Sequence, residues 1–377
     1  MHTPNVHPVS RSSAARLSHH ALRADCLHAP SFHHPRSAGI PRTTRMLAVA
    51  AAWVATVSSL AASASAADCD TTLSSCFDAN AVDIPAGPSE FVSIENATVL
   101  APGRFALGLA GSYLRKPVEL VAPSPSPEGR EISLVEDIWQ LDLLAAIGVL
   151  PRLQVALAFP VRLVQNGTGI EGATSRQGND LRKTAIVDPR IGASYAFLDS
   201  AVQAKLRFEL KLPLGDEDSF AGTNGVELIP TLLASSRDLG PLHLAAEAGA
   251  RFRQSATLGD TRIGNQLRFA LGARYDVLPQ LSVGAEAWIL PSLASQPETN
   301  AGQGTYLPAE WLGSVGAHFV ENVTLLAAAG TGIPLSSGPG SNDNELGVTS
   351  PTWRAFLAVR VGELGASANT ATPANER

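Results

Sequence analysis

Between Val202 and Leu212 the chain alternates without a break. Val202, Ala204, Leu206, Phe208, Leu210 and Leu212 take one phase; Gln203, Lys205, Arg207, Glu209 and Lys211 take the other. A period of two over eleven residues is a strand with two chemically opposite faces. The pattern recurs. Leu153, Val155, Leu157, Phe159, Val161 and Leu163 share a phase, and Leu267, Phe269, Leu271, Ala273 and Tyr275 oppose Arg268 and Arg274. Trp353, Ala355, Leu357, Val359 and Val361 oppose Arg354 and Arg360. Twelve such segments are expected, near 103–115, 136–149, 153–165, 184–198, 201–213, 225–236, 241–253, 263–275, 281–290, 308–319, 323–332 and 351–361.

The connections fall into two alternating classes. Short ones (Leu150-Pro151-Arg152, Asp199-Ser200, 237–240, 276–280 and 320–322) separate longer polar, Gly- and Pro-rich stretches at 116–135, 166–183, 214–224, 254–262, 291–307 and 333–350. Tilted strands with tight turns at one end and long loops at the other are the layout of an outer-membrane β-barrel. Lipid cannot hydrogen-bond an open strand edge, so such a sheet must close on itself. The fold class expected is therefore all-β, an antiparallel up-and-down transmembrane barrel of about 12 strands over residues 103–362. Outward-phase aromatics fall in two groups: Tyr113, Trp139, Phe252, Trp311 and Trp353 near the long loops, and Tyr195, Phe197, Tyr275 and Phe319 near the short turns. They suit the two interfacial girdles of a membrane barrel. A soluble sandwich would also bury one face per sheet, but it has no reason to alternate short and long connections so regularly.

Export is expected as well. Met46 to Ala66 is an apolar run ending Ala64-Ser65-Ala66 and preceded by Arg42 and Arg45, the pattern of a secretory signal peptide. Residues 1–66 are read as a presequence, although 1–45 exceed an ordinary n-region; a gene start set too far upstream and an organellar transit peptide are the two explanations. The presequence holds six Arg and one acid, which leaves 22 basic against 33 acidic residues beyond it. Such an acidic chain does not suit nucleic acid. Cys69 and Cys76 suit a small local disulfide in an oxidising compartment. Residues 67–102, with Pro85, Gly87 and Pro88, are expected to form a periplasmic N-terminal segment that either hangs free or folds up into the pore.

The run from Gly103 to Val361 carries Ala101-Pro102-Gly103-Arg104-Phe105 at its start, Ala185-Ile186-Val187-Asp188-Pro189-Arg190-Ile191 at the fourth strand, Leu210-Lys211-Leu212-Pro213-Leu214-Gly215 after the fifth and Ser350-Pro351-Thr352-Trp353-Arg354-Ala355-Phe356 at the last. It resembles the N-terminal barrel of OmpA-like and thrombospondin-type-3-repeat proteins of myxobacteria. It is also similar to the transporters grouped with phenol-degradation outer-membrane proteins. The resemblance implies an outer-membrane barrel with a transport role. Many such relatives continue into a peptidoglycan-binding domain; residues 363–377, small and polar, are read instead as a flexible tail.

Chemistry of other kinds finds little support. Seven of nine His precede residue 35, and the remaining His243 and His318 lie on polar faces beside short turns, away from the rim where an external substrate would arrive. No enzyme activity, metal or cofactor is expected. Gly167-Thr168-Gly169-Ile170-Glu171-Gly172 fits G-x-G-x-x-G, but no apolar helical period follows it, so it is read as an outer loop.

The polar faces carry the functional signal. Arg162, Arg190, Lys205, Arg207, Lys211, Arg251, Arg253, Arg268, Arg274, Arg354 and Arg360 stand against Asp142, Asp188, Glu209, Glu227, Glu247, Glu286 and Glu310, eleven cations to seven carboxylates. Charges are costly in lipid, so these side chains must face water or one another. Two interiors satisfy that condition: a rigid barrel whose charges cross-pair, or a water-filled lumen passing small solutes with a mild preference for anions. The expected partners are outer-membrane lipid, the insertion machinery and small solutes. Self-association and a periplasmic partner stay open.

Overall fold

The structure is a computed structural model. It describes residues 73–122, 130–174, 181–236, 239–259, 261–294, 307–320, 322–333, 335 and 350–362, without the side chains of 121, 122, 130, 131, 319 and 320. The expected export signal, Cys69, the Phe319 side chain and the tail at 363–377 lie outside what is described.

Twelve long strands form one closed antiparallel ring. In chain order they are β1 (Phe105–Ala122), β2 (Arg130–Leu150), β3 (Leu153–Asn166), β5 (Arg190–Asp199), β6 (Val202–Lys211), β7 (Glu227–Ser236), β8 (Leu242–Arg251), β11 (Gln266–Leu278), β12 (Leu281–Ile289), β13 (Ala309–Val320), β14 (Val323–Gly332) and β15 (Trp353–Gly362). Each pairs with its neighbour in sequence, and β1 pairs with β15 from Ala106 opposite Gly362 to Arg115 opposite Trp353. That last ladder removes both sheet edges, as an apolar surround requires. The two-residue β4 (Ala185–Ile186) extends the wall beside β3, while β9 (Ala256–Leu258) and β10 (Thr261–Ile263) make a separate hairpin in the loop after β8. Among the described residues no helix is long and apolar enough to cross a membrane.

Burial alternates along each strand as the sequence does. In β5 it switches residue by residue from buried Arg190 to exposed Ile191 and on to exposed Tyr195. Leu109, Leu143, Leu157, Leu232, Leu271 and Leu357 stand exposed on the outer surface, whereas Arg162, Lys205, Lys211 and Arg354 are fully buried inside. This is the reverse of a water-soluble protein, and it makes sense only with lipid outside. Trp139, Phe252, Trp311 and Trp353 are exposed toward the long-loop end, and Tyr195, Phe197 and Tyr275 toward the short-turn end. At the first girdle the Tyr113 ring lies 4.7 Å from that of Trp139 and 4.6 Å from that of Trp353.

Besides the β9–β10 hairpin in the loop expected over 254–262, two further connections differ from the sequence reading. The first long loop, expected over 116–135, is mostly strand, because β1 runs to Ala122 and β2 begins at Arg130. Its Val118, Leu120, Ile132 and Leu134 alternate too, and they close over an apolar cluster at the mouth; Pro117 and the prolines at 123–127 obscured that period. The Gly-rich loop contains a helix, α1 (Gly169–Thr174), inside the glycine motif rather than after it. One turn of helix offers too few free N–H groups to change the reading of that loop.

Candidate functional site: the lumen and the segment threaded through it

Residues 73–102 run inside the barrel from one end to the other. At the short-turn end Pro102 bridges Gly148, Gly103 N–H donates to the Gly148 carbonyl at 2.8 Å, and Leu100 N–H donates to Gln154 Oε1 at 3.0 Å. At the long-loop end Leu73 bridges Leu258 of β9, Ser74 N–H donates to the Thr257 carbonyl at 2.8 Å, and the Phe77 ring meets Phe220 edge-on at 5.3 Å. Between these points Val82, Ile84, Phe91, Val92 and Ile94 are buried against Leu144, Ala270, Trp288, Leu312 and Phe356 of the wall.

Midway along the segment a glycine in the wall makes a close approach. A Cβ on Gly272 would stand 2.9 Å from the Phe91 ring and 3.1 Å from Ile94 Cδ1, so only hydrogen leaves room for the segment.

The wall charges expected to line the lumen are where the alternation puts them. Arg162, Arg190, Lys205, Arg207, Glu209, Lys211, Glu247, Arg251, Arg268, Arg274, Glu286, Glu310, Arg354 and Arg360 are all buried, as are Asp142, Asp188 and Glu227. Arg253 is intermediate, with Nη1 at 3.9 Å from Glu227. Some pairs join wall to wall. Arg354 holds Glu310 through Nε at 2.8 Å and Nη2 at 3.0 Å, and Arg207 reaches Glu209 at 2.9 Å and Glu247 at 2.8 Å. Asp188 instead ties down the loop after β6, accepting from Gly215 N–H and Thr223 N–H, each at 2.8 Å.

Most of the cations, however, reach the threaded segment. Asp78 takes Arg162 at 2.7 Å and Lys211 at 3.0 Å; Asp83 takes Arg251 at 2.5 Å, with Lys211 and Arg190 at 3.5 Å. Glu90 takes Arg274 at 3.0 Å, and Glu95 takes Lys205 at 2.6 Å and Arg207 at 2.7 Å. Arg190 donates to the Ile84 carbonyl, Arg268 to that of Ser93, Arg360 to those of Ser89 and Phe91, and Arg354 to Asn80 Oδ1. Glu286 does the converse, accepting from Val92 N–H at 2.7 Å and from Ser93 N–H at 2.8 Å.

Residues 73–102 contain four carboxylates (Asp78, Asp83, Glu90 and Glu95) and no Lys or Arg. With Asp276, which binds Arg274 at 2.7 Å, eleven wall cations stand against eight wall carboxylates, and the carboxylates of the segment meet the cationic surplus. Buried charges are tolerated when paired and hydrogen-bonded. The two interiors drawn from the wall charges did not use this third element, although folding up into the pore was one of the two courses expected for residues 67–102. The signal was present all the same, in an acidic stretch placed ahead of a lumen with a surplus of arginine.

His243 lies between Glu90 and Asp276, at 3.2 and 2.9 Å, and His318 Nδ1 is 3.1 Å from Thr324 Oγ1. Both belong to polar contacts near the short turns. Cys76 is disulfide-bonded; the expected partner Cys69 is outside the described residues. Among the described residues no group of His, Cys, Asp or Glu is arranged to hold a metal ion.

No protein-family model matches the chain, and no curated protein does. Solved structures do. The COG4313 outer membrane channel from Pseudomonas putida F1 aligns over 72% of this chain and 100% of its own, with 13% identity and a TM-score of 0.51. The KdgM porin aligns over 68% of this chain and 98% of its own at 8% identity and TM-score 0.37; an anion-selective porin from Comamonas acidovorans aligns over the same shares at 12% identity and TM-score 0.29. The first of these shows the fold, and with the apolar outer belt it defines the class: a transmembrane β-barrel of the outer-membrane type. The resemblance drawn from sequence is supported at that level, as a likeness to outer-membrane channels; its OmpA-like and thrombospondin-type component is not shown.

Proposed function

We propose that the chain is an outer-membrane channel for small solutes, held shut by residues 73–102, whose lumen favours anions once that segment moves aside. One observation carries the reading: the wall holds more cations than carboxylates, and the carboxylates of the segment pair with that surplus. A barrel built only for rigidity could pair its charges within the wall, as Arg354 and Glu310 do. Here the compensation sits on a strap that is covalently joined to the wall only at β1. Vacating the lumen would leave a cationic lining, which lowers the barrier for anions over cations. The lining is then a set of positions for solute contact: Arg162, Arg190, Lys205, Arg207, Lys211, Arg251 and Arg268, with Arg274, Arg354 and Arg360 nearer its ends.

Purified full-length protein in planar bilayers tests this. Rare conductance steps are expected from the wild type, and longer or more frequent ones from a D83N/E95Q variant, with reversal potentials displaced toward the anion. Silence of both proteins, with the variant still folded by heat-modifiable gel mobility, would favour a second reading, a non-conducting structural or interaction barrel. That reading draws on the filling of the lumen, where the cavity bounded by Asp78, Asn80, Lys211, Arg251 and Glu310 is about 20 Å³, room for one water.

A further inference from the structure

The two ends of the threaded segment are held differently, and the difference sets how the lumen can clear. Its C-terminal end is continuous with β1 and hydrogen-bonded to β2 beside the short turn that follows Leu150. Its N-terminal end lies at the opposite mouth. There Leu73 adds to the edge of the β9–β10 hairpin, Ala79 N–H donates to the Phe220 carbonyl at 2.9 Å, and Phe77, Phe220, Ala256, Leu258 and Ile263 bury one another. In a barrel with short periplasmic turns and long external loops, that mouth faces the cell exterior.

We propose that residues 73–102 form a strap fixed at the periplasmic rim, that its end near Leu73 is presented on the outside of the cell, and that the β9–β10 hairpin and Phe220 are the latch that keeps it there. Its direction of release follows from the fixed end. Pulling the strap outward only straightens it, because a chain of this length extends to roughly 3.3 Å per residue and still passes through the lumen. The lumen empties only if the free end comes back through the barrel to the periplasmic side. What holds the N-terminal end is apolar contact, a few backbone hydrogen bonds and the pairs of Asp78 with Arg162 and Lys211, whereas the ion pairs of Asp83 and Glu95 lie deeper. The latch is therefore the first contact to break, and it is reached from outside.

The topology stands by itself; the withdrawal rests on the reading of the barrel as a channel. An epitope placed directly ahead of Leu73 in the full chain, expressed in a Gram-negative host, tests both, with an epitope in the loop between β12 and β13 as the exterior reference. Antibody should label the wild type on intact cells as it does the reference. In an L258D/F220A variant, labelling on intact cells should fall several-fold and return once the outer membrane is permeabilised, with barrel folding checked by heat-modifiable mobility. Label that reaches the wild-type epitope only after permeabilisation would overturn the topology. Undiminished surface label on the folded variant would overturn the latch and withdrawal. Planar-bilayer current recorded on the same variant separates these from the channel reading: a strap that withdraws while current stays absent removes the channel and keeps the strap.

Discussion

The Lys205 ammonium donates to the Glu95 carboxylate at 2.6 Å and to the Thr98 carbonyl at 3.0 Å, so both of its hydrogen-bond partners belong to the strap and neither to the wall. Arg207, two residues along β6, shares Glu95 but keeps Glu209 and Glu247 as wall partners. Lys205 thus depends on the strap in a way that Arg207 does not.

E95Q keeps the shape of the side chain and removes its charge. Breaking a buried ion pair on one side costs about 3–5 kcal/mol, because the abandoned charge stays buried. The variant should lose stability of that order in urea titrations of the protein in lipid. K205M on the same background should return much of the loss, since a pair replaced by apolar groups of similar volume is close to neutral. E95Q unfolding at the wild-type midpoint would mean that the carboxylate is not buried beside Lys205.

G272A adds one methyl group where the strap lies close against the wall. With Phe91 at 2.9 Å from the new atom, something must shift, and overpacking of this kind costs about 1–3 kcal/mol. Thermal unfolding should begin earlier than in the wild type, and a companion F91A substitution should relieve part of the strain. Additive losses from the two changes would show that they do not meet.

The outer face is tested with a charge. Leu357 is 56% exposed at the middle of β15, and Arg at the bilayer midplane of a barrel costs about 2–4 kcal/mol, falling to about 0–1 near the interfaces. L357R should therefore lower the equilibrium folding free energy into lipid by that amount, and an Arg at Trp353, nearer the mouth, by less. Equal and negligible effects at both positions would place β15 outside the membrane.

The ring was legible because every strand carries its own evidence. Val202 to Leu212 alternates regardless of what lies across the lumen, and the short turns at Leu150 and Asp199 fix the order of neighbours. The lining followed from the same phase: Arg162, Lys205 and Arg354 point inward because their neighbours must face lipid. The strap was not legible in that manner. Residues 73–102 have neither a period of two nor one of 3.6, since their course is set by contacts 100 residues and more away, such as Asp83 with Arg251. The β9–β10 hairpin and the extension of β1 and β2 beyond the membrane were missed for a related reason. The hairpin is held by Leu73, which belongs to the strap, and the extension packs on Phe77 behind a period that its prolines interrupt.

Arg354 separates wall pairing from strap pairing. It holds Glu310 with two hydrogen bonds and Asn80 of the strap with one, at 2.6 Å. R354M should destabilise the barrel by about 3–5 kcal/mol, whereas N80A should cost about 1.5–3 kcal/mol, the worth of a hydrogen bond to a charged group. A double-mutant cycle between positions 354 and 310 should show strong coupling; its absence would mean that the two side chains are not in contact.

The most direct measurement is amide hydrogen exchange of the wild-type protein in lipid, followed over residues 77–100. A strap sealed in the lumen should exchange as slowly as the flanking strands β6 and β12, with Val92 and Ser93, bound to Glu286, among the most protected positions. Exchange of the whole stretch at the rate of an unstructured peptide, with the barrel strands still protected, would contradict it.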